Sequence, residues 1–310
     1  MKHQIGTTAL ILTILLSLTI RAEYYCGEVR YDAKKNINPE QGTFETWFRL
    51  DANPNTFSIA SSSRRMLVFM LVCDAPDSGN SSSGKGKGKD RKSAGQEYFN
   101  FKYANHKENL AIRTNIADTL IKPLSCHQGK DISLNMNEWH YVALTWKFNG
   151  SECCLQIYLD GKLIKSHTEK IDFPTFSDNT IIKIGDAQTD YSEKDDDGKD
   201  KNNIRNSGGI GAIDCFRISK TVRTPDEIKS AFENGLKEDE NTLLFDNFEN
   251  VLIKKKNWSK NDLLKSQLEE SGKSNPTKKV QGIVYGPCEI VKGKFGKAIN
   301  PDNIDSIIAY

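Results

Sequence analysis

Apolar residues along this chain recur at alternate positions in short runs, and clusters of Gly, Asn, Asp and Ser separate one run from the next. That period sends successive side chains to opposite faces of an extended segment, the pattern of a half-buried strand. Strands are predicted over 43–50, 56–60, 66–73, 97–103, 109–114, 139–147, 153–159, 162–168, 180–185 and 210–218. Strands this short and this regularly punctuated fit an all-β sandwich folded as one unit. The sharpest local signal is YLDGKLI, where Asp160-Gly161 supplies the two positive-φ positions of a type I′ turn between 155–159 and 162–167. One short helix is predicted near 225–233: Thr224 stands as N-cap, Pro225 follows, Asp226 and Glu227 fill the first turn, and Gly235 ends it.

Two stretches interrupt the alternation. Residues 76–96 and 188–209 hold too little apolar material to offset the entropy of ordering them, so both are expected to be mobile, as recognition loops or as tolerated insertions. Residues 251–281 read as an irregular excursion in which NDLLKSQLEESG forms a short helix stopped by Gly272, with Trp258 packing locally.

Four phrases stand in fixed order: GTFETWF at 42–48, NEWHYVALTW at 137–146, IYLDGKLIKS at 157–166 and IGAIDCFRISKTVRTPDEI at 210–228. Through Gly42, Thr43, Glu45 and Trp47, then Trp139, His140, Val142 and Ala143, then the Asp-Gly hairpin, the chain resembles the laminin-G-like branch of the concanavalin A-like lectin/glucanase family. The resemblance implies a jelly-roll sandwich of two antiparallel sheets over 23–238. The opening strands of such a repeat are missing from the start. Phrases like them stand instead near the end, as TLLFDNFEN at 242–250 and VKGKFGKAIN at 291–300. Residues 239–310 therefore either complete the first sandwich or begin a partial second repeat.

Lys2 and His3 precede an apolar run over 9–20, closed by Arg21 and Ala22, which predicts a signal peptide over 1–22 and a secreted, cell-surface or periplasmic product. The run is shorter than the roughly 20 apolar residues of a spanning helix, so no stable membrane insertion is expected after cleavage. The whole chain carries 43 basic and 41 acidic residues, and losing Lys2 and Arg21 with the leader makes the two counts equal. Such neutrality argues against nucleic acid as a partner. Seven cysteines in an exported chain predict disulfide bonding with one thiol left over; adjacent Cys153 and Cys154 face opposite ways on their strand.

Candidate chemistry is sparse. Sandwich hydrolases of glycans place two carboxylates at alternate positions of one strand, and Glu45 stands without such a partner. No nucleophile elbow accompanies the histidines, and His140 reads as a strand residue. The acidic phrase at 193–198 fails as a calcium loop, since Ile204 stands at the closing ligand position. The family resemblance nevertheless implies calcium at the sandwich rim as the cofactor, with Asp186 and Asp214 as candidate ligands. Alternation puts Asp214 on the inward face with Phe216 and Ile218, where hydrogen bonds from turn amides are the other reading. The expected function is a non-catalytic binding or adhesion module recognising extracellular carbohydrate or protein. The alternatives are a structural surface component and, last, a glycan hydrolase.

Overall fold

The computed structural model of the chain describes residues 27–51, 65–73, 96–104, 109–116, 119–120, 124–127, 129–170, 180–185, 192–194, 200–202, 211–254, 270–274, 281–286 and 288–301. The predicted strand at 56–60, the leader, Trp258, Asp186 and most of the two polar stretches lie outside them.

The first part of the chain forms β1 (Glu28–Asp32), β2 (Gln41–Leu50), β3 (Arg65–Cys73), β4 (Gln96–Ala104), β5 (Asn109–Ile116), β6 (Thr119–Leu120) and β7 (Leu124–His127). Next come β8 (Trp139–Asn149), β9 (Glu152–Leu159), β10 (Lys162–Lys170), β11 (Ile181–Gly185), β12 (Ser192–Lys194), β13 (Asp200–Asn202) and β14 (Gly211–Ser219). After the helix α1 (Pro225–Asn234) follow β15 (Thr242–Asp246), β16 (Val251–Ile253), β17 (Glu270–Ser274), β18 (Gly282–Tyr285), β19 (Glu289–Lys292) and β20 (Lys297–Asn300).

Two antiparallel sheets result. A ten-stranded sheet runs β16-β17-β18-β1-β11-β3-β4-β5-β6, with β7 also on β5. An eight-stranded sheet runs β10-β9-β8-β2-β14-β20-β19, with β15 also on β14. The alternation read from the sequence is what closes them on each other. Phe44, Phe48, Val142, Leu144, Ile157 and Phe216 of one sheet meet Val29, Tyr31, Ile182, Ile184 and Val284 of the other in one core. The opposite face of the eight-stranded sheet is buried as well: Trp47, Tyr141, Ala143, Tyr158 and Cys215 form a second core with Ile228 and Ala231 of α1 and Leu236 beyond it. A sheet covered on both sides explains why every residue of β14 is buried.

Local signals match their elements. Asp160 and Gly161 have φ of 48° and 76°, as a type I′ turn requires, and β9 pairs with β10 across it. Thr224 caps α1, and Glu227 completes a capping box by returning a side-chain bond to the Thr224 amide at 2.8 Å. Two expectations are corrected. Residues 270–274, expected to end a helix at Gly272, form β17, because β18 pairs with them through Gly272–Val284 and Ser274–Gly282. Part of the acidic stretch forms the hairpin β12–β13. Among the described residues no disulfide forms: Cys126, Cys153, Cys154, Cys215 and Cys288 are thiols, Cys153 buried and Cys154 half-buried on the opposite side of β9.

Strands from 242–300 are members of the same two sheets. β18 pairs with β1, while β15 and β20 share the edge of β14 opposite β2. A buried carboxylate ties these ends together. Asp246 of β15 accepts from Tyr31 Oη at 2.7 Å, from Ser274 Oγ and from the Phe248 amide at 2.7 Å.

Candidate functional site

The four sequence phrases converge on the face of the eight-stranded sheet beneath α1, and most of their polar residues turn out to hold it together. Glu45 projects from β2 on the side opposite Phe44. Its two oxygens accept from Arg217 Nε at 2.7 Å and from Arg217 Nη2 and Tyr141 Oη at 2.8 and 2.6 Å. Burial, with Glu45 alongside, raises the Tyr141 pKa well above its ordinary value, so the phenol keeps its proton and donates. Arg217 also donates to the Lys237 carbonyl at 2.6 Å. Arg223 forms a two-pronged pair with Asp239 at 2.5 and 2.7 Å and reaches Ser219 Oγ, which holds both ends of α1's flanking chain. His140 is equally committed: its Nε2 accepts from the Asn135 amide at 3.1 Å, leaving Nδ1 to donate to Asp160 at 2.9 Å.

Asp214 does not follow the expected alternation. Ile213 and Phe216, three residues apart, both face the core between the sheets, because the β14–β2 ladder shifts register between them. Asp214 and Cys215 form the bulge. The Asp214 carboxylate therefore sits beneath the turn joining β19 to β20. Its Oδ2 accepts from the Phe295 amide at 2.8 Å and its Oδ1 from the Cys215 amide at 2.6 Å. Burial pushes its pKa up, and the amides of Phe295, Cys215 and Lys294 pull the other way. A Cβ at Gly293 would stand 2.7 Å from Oδ2, so glycine is required for the turn to descend onto the carboxylate. These surroundings present N–H dipoles to the oxygens and suit an anion. They do not fit a calcium ligand, and among the described residues no three His, Cys, Asp or Glu side chains stand together as a metal site. Asp186, the other candidate ligand, lies outside the described residues.

What Asp214 holds in place is an aromatic and cationic cluster. The turn closes through Gly293 N–H to the Gly296 carbonyl at 2.8 Å, and Glu249 accepts from the Lys297 amide at 2.6 Å. It carries Phe295 and Lys294 over the ring of Trp47. Phe295 meets that ring edge-on at 5.4 Å, and the Lys294 ammonium lies 5.2 Å from its centroid. Phe232 of α1 stacks on the same ring at 5.6 Å with 18° between planes, and Tyr141 packs beside it at 5.5 Å. Trp47 is 2% exposed, whereas Phe295 is 49% exposed. Sequence reasoning singled out Trp47 as a fold residue and missed Lys294, Phe295 and Phe232 as site residues. The available signal was a bulky aromatic placed between turn glycines in GKFG.

A laminin G family model, described as the concanavalin A-like lectin/glucanases superfamily, matches residues 27–229. The chain belongs to that superfamily. Its match ends inside α1, so the strands that flank β14 and β1 from the C-terminal side lie beyond the matched region. No curated protein matches this concanavalin A-like chain. Among solved structures, a putative carbohydrate binding protein from Bacteroides ovatus is similar at 12% identity and a TM-score of 0.45, over 85% of this chain and 59% of that one. A heptameric SAP-like pentraxin from Limulus polyphemus gives 11% identity and 0.40, over 67% and 76%. The CBM40 module of the Ruminococcus gnavus IT-sialidase, bound to α2,3-sialyllactose, gives 15% identity and 0.38, over 68% and 94%.

Proposed function

We propose that this chain is an exported binding module of the concanavalin A-like superfamily that recognises extracellular carbohydrate without catalysis. The observation that carries the reading is the 293–296 turn. Its backbone is pinned by Asp214 and Glu249, and it presents a half-exposed Phe295 and an exposed Lys294 beside Trp47. An aromatic ring held rigidly at a surface offers the C–H face of a sugar a partner at little cost in conformational entropy. Glu45 is committed to Arg217 and Asp214 to backbone amides, so neither of these two is free for acid–base chemistry. Among the described residues no helix is long and apolar enough to cross a membrane. Residues 239–310 act in this reading as the closing segment of one sandwich.

A glycan array probed with residues 23–310 tests this. We expect reproducible carbohydrate hits that Phe295→Ala reduces at least about tenfold, the loss of one well-placed aromatic contact, and no release of reducing sugar. A chelator arm tests the calcium expectation in the same assay. An empty array would sink the reading. Exposed Leu163 on β10 and Leu252 on β16, both on edge strands, favour a second reading as an assembly component. Sedimentation of the same protein distinguishes it, since assembly requires concentration-dependent self-association.

A further inference from the structure

We infer that the outer face of the ten-stranded sheet carries a second binding site, centred on Arg30, for the carboxylate of an acidic sugar. The inference takes its ligand class from the carbohydrate reading and adds a site that the 293–296 turn does not contain. Alternation along β1 sends Val29 and Tyr31 into the core between the sheets and Glu28 and Arg30 to the other face. Strand pairing then sets one row across four neighbouring strands: Lys273 of β17, Ile283 of β18, Arg30 of β1 and Lys183 of β11. At the usual strand spacing the row spans about 14 Å. Three of its four members are cations.

Glu28 is the acid beneath this row, and it holds the arginine without using it up. Its Oε1 accepts from Arg30 Nε and lies 3.5 Å from Lys183 Nζ. The Arg30 guanidinium carbon stands 4.1 Å from the centroid of the Tyr285 ring, which covers one face of the group. Its Nε edge and one face are therefore taken, while the terminal Nη1–Nη2 fork has no hydrogen-bond partner and reaches solvent, on a side chain 32% exposed. Two cations share the one buried carboxylate, so the group as a whole stays positive, and half-buried Lys273 forms no ion pair. A planar carboxylate matches the open fork through two parallel hydrogen bonds. Half-buried Ile181 and Ile283 share this face and offer the C–H face of a pyranose ring an apolar surface beside the fork.

The test uses calorimetry on residues 23–310 with hexasaccharides of galacturonate and of hyaluronan, the methyl esters of both, and polyglutamate. We expect at least one acidic hexasaccharide to bind about tenfold tighter than its ester, the scale of one charge-assisted contact. Ile283→Glu is expected to abolish that difference, because it sets a carboxylate across from Arg30 on the neighbouring strand, fills the fork from within and leaves the Glu28 pair in place. Arg30→Lys keeps a charge beside Glu28 but loses the fork, and should bring acid and ester close together at an unchanged melting temperature. Equal binding of acid and ester by the parent, or indifference to Ile283→Glu, overturns the inference and leaves carbohydrate recognition standing. A preference that Phe295→Ala removes and Ile283→Glu does not puts the acid at the turn and overturns it as well. Polyglutamate binding as tightly as the hexasaccharides overturns the assignment to a sugar. Binding of neither acidic hexasaccharide overturns the inference, whereas an empty glycan array is what removes the reading beneath it.

Discussion

Buried ionisable residues in this protein act by joining elements. Glu45 has no exposure to solvent yet carries a full complement of donors, and removing either it or Arg217 would leave the other charge buried alone. Asp246 is the more informative case because among the described residues it has no cationic partner and relies on Tyr31, Ser274 and the Phe248 amide. Burial raises its pKa against the opposing pull of those three donors. The folded state thus holds this proton more tightly than the unfolded chain. The resulting contribution to stability is complete below the unfolded value of about 4 and is lost as pH rises through the folded value. Asp246→Asn cannot lose a proton, so its stability relative to the parent should improve progressively as pH is raised from about 4 toward neutrality. Urea unfolding of both proteins at a series of pH values measures this, and a difference that does not change with pH would refute it.

At the level of elements, α1 has a role larger than its ten residues suggest. It roofs the second face of the eight-stranded sheet, bringing Ile228 and Ala231 onto Tyr141, Tyr158 and Cys215, and it supplies Phe232 to the stack on Trp47. Its start is set by the capping box of Thr224 and Glu227 and by Arg223, whose amide donates to Thr43 of β2 at 2.8 Å. Thr224→Ala removes the side-chain acceptor of the Glu227 amide and should cost about 1 kcal/mol. A drop in the urea midpoint with an unchanged slope is the expected outcome. The β19–β20 hairpin also packs on Trp47, through the edge-on ring of Phe295. It depends on the bulge in β14, since only a bulged Asp214 reaches its turn amides.

For the whole molecule, the decisive contacts are those between distant parts of the chain. β14 has β2 along one edge and β15 with β20 along the other, and β1 lies between β11 and β18. Cutting the chain after residue 238 would strip one edge each from β14 and β1 and remove the Asp246 link. Exposed ladders of this kind pair with other molecules. The truncated protein is expected to lose its cooperative thermal transition and to aggregate, as seen by circular dichroism and size-exclusion chromatography; a folded monomer would show that the tail is dispensable. The sequence by itself determined the strand content, the type I′ turn at Asp160-Gly161, the capped helix and the family, because each depends on periodicity or on residues within a few positions of one another. It also places phrases that resemble the opening of such a repeat at 242–250 and 291–300. Three things were decided only by tertiary structure. The bulge that reversed Asp214 comes from pairing between β14 and β2, which local alternation cannot register. Residues 270–274 became a strand because β18 was there to pair with them. The cluster of Trp47, Phe232, Lys294 and Phe295 draws on three segments separated by up to some 250 positions, and only closure of the sheet brings them onto one face.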